Sequence, residues 1–375
     1  MVTVVKRIAI SGYYGFGNSG DEAVLQSILL ALREEGERRG VTVEPVVLSA
    51  DPALTSAMYG VRAAHRMKMA EIAKTIRDCD GLISGGGSLL QDATGVMTIP
   101  YYLSVLKLAQ FMGKPTFVYA QGVGPVNRRL FDPLIRSVFR RCRYISVRDP
   151  ESAELLRRIG VGDVRIEIVP DPVMGLPLGS VEREINAPYA GATAERVAPV
   201  VGVSVRYWNP DRSELDGIAR ALRLLCEDRP VKIRFLPFHL PSDEEASRHV
   251  MAGLGEFAAS AEIVRDAVHP QQMLAEVGRC DLLIGMRLHS LIYAASQEVP
   301  PVGISYDPKI DQFLHRLNMR PAGSVAALDP ETVAEQAAAL LDGKDRWRER
   351  TGPLIARLKQ EAHRPAQQII GYFRP

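Results

Sequence analysis

The stretch CDLLIGMRLHSLIYAA, residues 280–295, decides the fold class because its pattern occurs twice in the chain. The earlier copy is CDGLISGGGSLLQD, residues 79–92. Each copy starts at the end of a helix, continues as a short apolar strand, turns at glycine and opens a new helix. A strand, a glycine turn and a helix form the unit of a parallel, doubly wound sheet. Two copies in different halves of the chain predict two similar domains.

The rest of the chain follows the same alternation of short β-branched runs and helical patterns. The alternation stops near Gly175 and resumes at PVVGVSVRYW, residues 199–208. We therefore predict an α/β fold of two Rossmann-like domains facing across a cleft. The predicted bounds are 1–175 for the N-terminal domain, 176–198 for a linker or loop, 199–350 for the C-terminal domain, and 351–375 for a C-terminal helix that packs back toward the N-terminal domain.

Composition narrows the class of protein. The chain has 375 residues, which suits two domains of ordinary size. A net charge of +2 argues against a dedicated nucleic-acid binder. Its 4 cysteines are widely spaced and suggest neither a disulfide framework nor a zinc site, and no metal is expected. The N-terminus has no signal-peptide pattern and no apolar run reaches membrane-spanning length, so we expect a cytoplasmic protein.

The first strand ends in GYYGFGNSGDE, residues 12–22. Its four glycines do not have the spacing of a dinucleotide fingerprint. Asn18 or Ser19 can cap the helix that follows, while Asp21 and Glu22 complement its dipole. A well-capped turn is one interpretation. The other is a loop that contacts a ligand, and its two carboxylates then favour a hydroxyl-rich ligand such as a sugar over a phosphate.

Two further motifs of the N-terminal half end in polar groups at the predicted cleft. SGGGSLLQD, residues 84–92, reads as a strand end that opens a helix, where bare amides can bind an anion or polar ligand. A tight turn is the alternative. In YISVRDPES, residues 144–152, we predict Asp149 as a helix cap with Pro150 at the first helical position, but capping does not account for Arg148. A surface salt bridge would account for it.

Basic residues follow successive strands of the C-terminal half. Arg206 lies near one strand end, Arg287 and His289 follow Gly285, and Lys309 follows the next strand. Arginine is the fork-shaped partner of carboxylate and phosphate, and histidine can transfer a proton near neutral pH. These residues predict an anion pocket. The alternatives are a structural His289 bonded to a buried carbonyl and an exposed, solvated Lys309.

These motifs together resemble the polysaccharide pyruvyltransferases, and among them the cell-wall CsaB type. The segments that carry the resemblance are GYYGFGNSGDEAVL, ISGGGSLLQD, QGVGP, ISVRDPES, PDPV, GMRLHSLIYAA and VGISYDPK. The matches run in order from residue 7 to about residue 315 and cover most of the chain. The resemblance implies the GT-B arrangement, phosphoenolpyruvate as co-substrate with no cofactor, and a pyruvate ketal as product. In the CsaB type the acceptor is a lipid-linked precursor of a secondary cell-wall polymer, ketalled on N-acetylmannosamine at positions 4 and 6, and the ketals anchor surface-layer proteins.

The resemblance also implies roles for single residues. The phosphoenolpyruvate clamp would consist of Arg148, Arg287 and Lys309, with Arg206 as a weaker candidate and phosphate near the amides at Gly285. His289 would protonate the methylene carbon. Asp21 or Glu22 would hold or deprotonate the acceptor hydroxyl. The acceptor contacts would be Tyr14, Asn18, Gly86 and Ser88.

Two alternatives remain open for the function. A GT-B glycosyltransferase using a nucleotide sugar needs the same fold and a similar cationic pocket. A binding protein for anionic glycans needs the pocket but no proton donor. A lipid-linked acceptor would also bring the protein to the inner membrane face, where RSVFRRCR, residues 136–143, could meet anionic lipid; an ordinary solvated helix face is the other interpretation of that run.

Overall fold

The computed structural model describes residues 4–92, 95–162, 165–179 and 198–374. Contacts group the chain into two compact units. The first unit combines Met1–Phe16, Asp21–Leu176 and Leu358–Pro375, and the second combines Gly17–Gly20 with Pro177–Arg357. Most of the predicted linker, residues 180–197, lies outside the described residues.

The first unit contains a seven-stranded parallel sheet with the order β3-β2-β1-β4-β5-β6-β7. Its strands are β1 Val4–Ser11, β2 Val41–Ser49, β3 Arg62–His65, β4 Gly81–Gly85, β5 Thr116–Gln121, β6 Tyr144–Val147 and β7 Ile166–Ile168. The order reverses between β1 and β4. In doubly wound sheets, ligands bind outside the carboxyl ends of the two strands at such a switch point.

Helices connect these strands. They are α1 Ser19–Arg39, α2 Pro52–Tyr59, α3 Met69–Asp78, α4 Thr98–Phe111, α5 Asp132–Phe139 and α6 Pro150–Leu156. The helices α3 to α6 pack together on one face of the sheet. Their apolar sides form one core with the strands, and Ile76, Leu106 and Phe139 are almost fully buried in it. The predicted cap of α6 is confirmed, since the Asp149 carboxylate accepts a hydrogen bond from the Ser152 amide.

The second unit repeats the topology with six parallel strands in the order β10-β9-β8-β11-β12-β13. The strands are β8 Val200–Ser204, β9 Lys232–Phe235, β10 Ala261–Ile263, β11 Leu282–Gly285, β12 Pro301–Ser305 and β13 Gly323–Ser324. The switch point lies between β8 and β11. The predicted fold class, two Rossmann-like α/β domains, is confirmed by these two sheets.

The helices of the second unit begin where local sequence signals place them. They are α7 Ser213–Asp228, α8 Ser242–Ala252, α9 Pro270–Gly278, α10 Leu288–Ser296, α11 Pro308–Arg316 and α12 Pro330–Asp342. Proline occupies the first turn of α9, α11 and α12, and the residue before it caps each helix with its side chain. Asp307 caps α11 in this way, as its Asp-Pro sequence predicts.

Two predictions about secondary structure are wrong. The segment after β4 opens no helix: residues 86–92 are irregular and α4 begins only at Thr98. The single helix predicted over 351–375 is instead two helices, α13 Lys344–Ala362 and α14 Arg364–Phe373. The segment Leu358–Pro375 groups with the first unit, where Phe373 packs against Phe117 of β5 at a centroid distance of 5.5 Å.

Candidate active site

The switch point of the second unit collects basic residues. Arg206 follows β8, and Arg287 and His289 follow the neighbouring strand β11. The amides of Ser290 and Leu291 donate to the Arg287 carbonyl, so the helix α10 starts immediately after Arg287. The first N–H groups of a helix have no acceptor within it. Those of Leu288 and His289 therefore point out of the end of α10, as an anion-binding helix terminus requires.

Arg287 is held by a buried carboxylate. Its Nε donates to Asp243 Oδ2 at 2.9 Å and its Nη2 donates to Asp243 Oδ1. Asp243 is 0% exposed, and its Oδ2 also accepts the amides of Phe238 and His239. A bidentate pair of this kind gives the guanidinium one orientation and offsets part of its charge. The Nη1 group is the part of Arg287 outside this pair.

His289 is the second residue of α10 and packs against Gly20. A Cβ atom built on Gly20 would lie 2.1 Å from His289 Nδ1, well inside van der Waals contact. Gly20 belongs to the Gly17–Gly20 segment that groups with the second unit, and two more contacts anchor that segment. The Ser19 amide donates to the Phe238 carbonyl at 2.8 Å, and the Tyr293 hydroxyl lies 3.3 Å from Ser19 Oγ. The glycine motif of the N-terminus therefore positions the imidazole at the start of α10.

His239 interacts with the charges of both arginines. Burial lowers its pKa, the positive charge of Arg287 lowers it further, Asp243 opposes the shift, and Arg206 adds a smaller lowering. Its backbone forms a bridge with Asn18, and its Nδ1 lies 3.3 Å from Ser242 Oγ. The two guanidinium groups near this imidazole make this edge of the sheet electropositive.

Arg206 is held by aromatic rings. Its guanidinium carbon lies 5.0 Å from the ring centroid of Tyr306 and 5.4 Å from that of Trp208, and its Nη1 donates to the Tyr306 hydroxyl at 3.0 Å. Trp208 is itself 48% exposed, although its amide is anchored at 2.8 Å to the buried carboxylate of Glu214. The cation is thus oriented without a carboxylate partner in these contacts, which keeps its charge available to an anion.

Gly285 has a packing role in the structure, and Lys309 lies near a carboxylate. Gly285 is the last residue of β11, and a Cβ there would meet Ser290 Oγ at 2.6 Å, so the glycine permits close packing of α10 on the strand. The Met286 amide donates to the Ser204 carbonyl, so this one of the amides near Gly285 is not open to phosphate. Lys309 lies in the first turn of α11 with its Nζ 3.9 Å from the carboxylate of Asp307.

In the first unit the glycine motif follows β1, at the switch point with β4. Glu22 is 6% exposed; its Oε1 accepts the Gly15 amide at 2.8 Å and its Oε2 accepts the Tyr59 hydroxyl at 2.8 Å. Burial raises its pKa, and these hydrogen bonds oppose the shift. Both carboxylate oxygens therefore hold the turn. This corrects the assignment of Glu22 as an acceptor base and leaves Asp21 as the partly exposed carboxylate of the motif.

The aromatic residues of the motif also differ from the prediction. Tyr14 is 1% exposed, with its ring against Gly12 and its hydroxyl against Gly85, so it is a packing residue and not a direct sugar contact. Its neighbours Tyr13 and Phe16 are 41% and 40% exposed and stack at 4.0 Å with an angle of 9° between the rings. This pair was not predicted from the sequence, although the YYGF run in the glycine motif was the available signal.

Arg66 supports the exposed pair from beneath. Its guanidinium carbon lies 5.7 Å from the Tyr13 ring centroid and 5.2 Å from that of Phe16, and its Nη1 donates to the Gly12 carbonyl at 2.8 Å. Arg66 is 6% exposed and also packs over Tyr101. The rings are therefore fixed on a buried cation, and no local sequence pattern predicted that role for Arg66.

Arg148 follows β6 and is buried. Its Nη1 donates to Asp171 Oδ2 at 2.8 Å and its Nη2 donates to Ser88 Oγ at 2.6 Å. Its side chain is 7% exposed, so the surface salt bridge considered from the sequence is wrong. Arg148 lies in the first unit, whereas Arg206, Arg287 and Lys309 lie in the second. Asp171, part of the PDPV motif, is the partner that the sequence did not identify for it.

Ser88 and Gly86, the predicted polar contacts after β4, lie in the irregular segment rather than at a helix start. Gly86 is buried with φ +30°, and a Cβ there would lie 2.0 Å from Val24. Asn18 caps α1 by accepting the Gly20 amide at 3.1 Å, as predicted. Among the described residues, no three His, Cys, Asp or Glu side chains are grouped as a metal site requires. No helix in the described ranges is long and apolar enough to cross a membrane.

Comparison with known proteins points to one family. The family model for polysaccharide pyruvyl transferases matches residues 18–308. The amylovoran biosynthesis protein AmsJ of Erwinia amylovora is 21% identical over 281 residues, which is 71% of this chain. The chain spans 66% of the length of AmsJ, just under two thirds.

Solved structures resemble the fold over nearly the whole chain. A putative UDP-N-acetylglucosamine 2-epimerase from Listeria monocytogenes aligns with a TM-score of 0.67 at 13% identity, covering 99% of both chains. The UDP-GlcNAc 2-epimerase of Methanocaldococcus jannaschii aligns with a TM-score of 0.69 at 12% identity, covering 98% of this chain and 100% of the other. At this identity the likeness concerns the fold alone, and it supports the predicted GT-B class.

Proposed function

The chain belongs to the polysaccharide pyruvyl transferase family, and from this premise we propose that it transfers the enolpyruvyl group of phosphoenolpyruvate to a sugar. The proposed product is a 4,6-pyruvate ketal, with release of phosphate. The proposed acceptor is N-acetylmannosamine in a lipid-linked precursor of a secondary cell-wall polymer. Ketals on such a polymer would serve to anchor surface-layer proteins.

The observation that carries this proposal is the electropositive switch point of the second unit. Arg206 follows β8 and Arg287 follows the neighbouring strand β11, and His289 stands beside Arg287 at the start of α10. Phosphoenolpyruvate carries a carboxylate and a phosphate, so its site needs oriented cations and helix amides. Lys309 is proposed as a further member of the clamp, and the assignment of Arg148 stays a prediction from the sequence.

The proposed chemistry gives His289 the first proton transfer. Protonated His289 donates to the methylene carbon of phosphoenolpyruvate, which becomes a methyl group, and C2 becomes an oxocarbenium-like electrophile. One acceptor hydroxyl attacks C2, phosphate leaves, and the neighbouring hydroxyl closes the ketal. The two hydroxyls release two protons, of which one replaces the proton lost by His289 and the other leaves on phosphate. Positioning and charge stabilisation supply the rate enhancement in such a scheme.

We assign acceptor recognition to the first unit. The stacked rings of Tyr13 and Phe16 offer an exposed apolar surface to the C–H face of a pyranose ring, and Asp21 offers a carboxylate to its hydroxyls. Asp21 also replaces Glu22 as the proposed group that accepts the hydroxyl proton, because both oxygens of Glu22 are engaged in the turn.

Phosphate release from phosphoenolpyruvate tests the proposal. The purified chain is incubated with and without a synthetic lipid-linked N-acetylhexosamine disaccharide, and the acceptor is analysed by mass spectrometry. Acceptor-dependent phosphate release with a ketal-sized mass gain is expected, together with its loss in His289→Ala. His315→Ala, an exposed histidine of α11 in the same unit, is the matched control and retains activity.

Two outcomes would contradict the proposal. Turnover of UDP-N-acetylglucosamine without use of phosphoenolpyruvate would assign the site to glycosyl transfer. Tight binding of a ketalled glycan, with no phosphate release from any acceptor, would assign it to recognition alone. Undiminished turnover by His289→Ala would leave pyruvyl transfer in place but remove His289 from the chemistry.

A further inference from the structure

The outer side of α4 and α5 in the first unit has an unusual charge. Between Val96 and Arg143 the sequence contains 8 basic residues and 1 acidic residue, a net charge of +7. The whole chain has a net charge of +2, so the rest of the chain carries −5. The exposed basic side chains of the segment are Lys107, Arg128, Arg129, Arg136, Arg140, Arg141 and Arg143. Positive charge is therefore concentrated on this part of the surface.

Large apolar side chains are exposed among these cations. Phe111 at the end of α4 is 87% exposed, Leu130 before α5 is 63% exposed, and Leu134 in α5 is 49% exposed. The opposite side of α5 is in the core, where Ile135 and Phe139 are 0% exposed. The helix therefore buries one apolar side in the core and exposes Leu134 in addition to it. Single exposed apolar residues are ordinary, but a group of them among cations marks an interaction surface.

A side-chain hydrogen bond joins the ends of the two helices. Gln110 Nε2 donates to the Val138 carbonyl at 2.9 Å, and the Arg141 amide donates to the same carbonyl at 3.2 Å. Phe111, next to Gln110, therefore lies at the same end of the unit as Arg141. Leu130 and Leu134 are four residues apart, one turn along the start of α5. We call the surface formed by Lys107, Phe111, Leu130, Leu134, Arg140 and Arg141 the α5 face.

We propose that the α5 face docks the protein on an anionic phospholipid membrane. A bilayer surface offers negative charge to the arginines and an apolar layer to Phe111 and the two leucines, and these two attractions together are what peripheral membrane binding requires. The charge complementarity selects this partner over a neutral apolar protein surface. The inference goes beyond the proposed reaction, because docking needs neither phosphoenolpyruvate nor an acceptor.

Vesicle co-sedimentation of the full chain tests the docking. Vesicles of phosphatidylcholine alone are compared with vesicles that also contain phosphatidylglycerol. Binding to the anionic vesicles is expected, with loss as the salt concentration rises to 1 M, where the Debye length falls to about 3 Å. Arg140→Gln/Arg141→Gln should weaken binding about 25-fold, since each basic residue near such a surface contributes about fivefold. Phe111→Ser should weaken it about tenfold.

Matched controls change the same groups elsewhere. Arg346→Gln/Arg350→Gln removes two exposed arginines of α13 in the second unit, and Val268→Ser removes an apolar side chain that is 62% exposed. Both should bind vesicles like the unaltered chain. All variants should keep turnover on an acceptor whose lipid chain is short enough to stay dissolved, because none of these residues belongs to the proposed site. Vesicle binding and turnover are thus measured separately, and either proposal can fail alone.

Four results would overturn the docking proposal. Equal binding to neutral and anionic vesicles would remove the electrostatic argument. If the control pair weakens vesicle binding equally, binding depends on the net charge of the protein and not on the α5 face. A concentration-dependent dimer that Phe111→Ser abolishes, with no vesicle binding, would identify the face as a protein interface; salt-sensitive binding to RNA without vesicle binding would identify it as a nucleic-acid surface.

Discussion

Replacing Gly20 by alanine should move the imidazole of His289 and leave the rest of the fold in place. Gly20 is the second residue of α1, where alanine is ordinarily preferred to glycine by up to about 1 kcal/mol. Its Cβ would lie 2.1 Å from His289 Nδ1, whereas ordinary contact begins at 3.4 Å, so the ring must move by about 1.3 Å. Helix propensity therefore favours alanine at this position, whereas the clash with the neighbouring ring disfavours it.

The magnitude follows from these distances. Misplacing a catalytic group by about 1 Å costs roughly 100-fold in rate, so turnover by Gly20→Ala should fall by about that factor. Overpacking costs about 1–3 kcal/mol, and the gain in helix propensity offsets up to about 1 kcal/mol of it. The free energy of unfolding should therefore fall by no more than about 3 kcal/mol, which is below the total stability of an ordinary domain, so the variant folds.

Phosphate release and thermal unfolding are measured on the same preparation. Gly278→Ala is the matched control, because Gly278 ends α9 and a Cβ there meets its nearest atom, on Gln297, at an ordinary 3.6 Å. It should keep both turnover and stability. Full turnover by a folded Gly20→Ala protein would refute the reasoning, since it would show that the position of the imidazole at the start of α10 does not matter for the reaction.

Three further predictions concern other contacts of the two units. Asp171→Asn should lower the free energy of unfolding by about 3–5 kcal/mol, because it leaves Arg148 buried beside a neutral group; urea unfolding against the unaltered chain measures the loss, and a change below 1 kcal/mol would contradict it. Trp208→Ala should raise the KM for phosphoenolpyruvate with little change in melting temperature, since the ring orients Arg206 from a half-exposed position; an unchanged KM would exclude that role. The pKa of His239 is lowered in the folded chain, so as pH falls the unfolded chain takes up a proton at this histidine before the folded chain does. The free energy of unfolding therefore decreases as pH falls through the unfolded pKa near 6.5. The melting temperature of His239→Asn should therefore drop less between pH 7.5 and pH 5.5, and a parallel drop in both proteins would oppose this assignment.

Much of the framework could be predicted from local sequence because its causes are local. The apolar runs that become β4 and β11 are followed by glycine in both halves, and the caps of α6, α9 and α11 use a side chain directly before a proline. Hydrogen bonds from a capping side chain reach only two or three residues along the chain. The pattern of one segment is therefore enough to predict where such a helix begins. Because α10 begins directly after β11, Arg287 and His289 lie together at this boundary.

The segment after β4 shows where local reasoning fails. GGGSLLQD has the glycines and the apolar residues of a strand-to-helix turn, yet α4 starts only at Thr98. The segment is held by distant partners: Asp92 accepts the amides of Asn127 and Arg128, and Leu90 forms a bridge with Val123. These partners follow a later strand, so no window of sequence around residue 90 contains them.

The sequence by itself determined the two parallel sheets and the residues that end their strands, because strand, turn and helix preferences act between near neighbours. Only the tertiary structure decided what each of those residues does. Burial against Gly15 and Tyr59 made Glu22 a structural carboxylate, and the carboxylates of Asp243 and Asp171 oriented Arg287 and Arg148. The exposure of Tyr13 and the packing of Gly20 on His289 arose in the same way. Charge pairing and burial join residues that are far apart in the chain, and their energies depend on distance in space rather than on position in sequence.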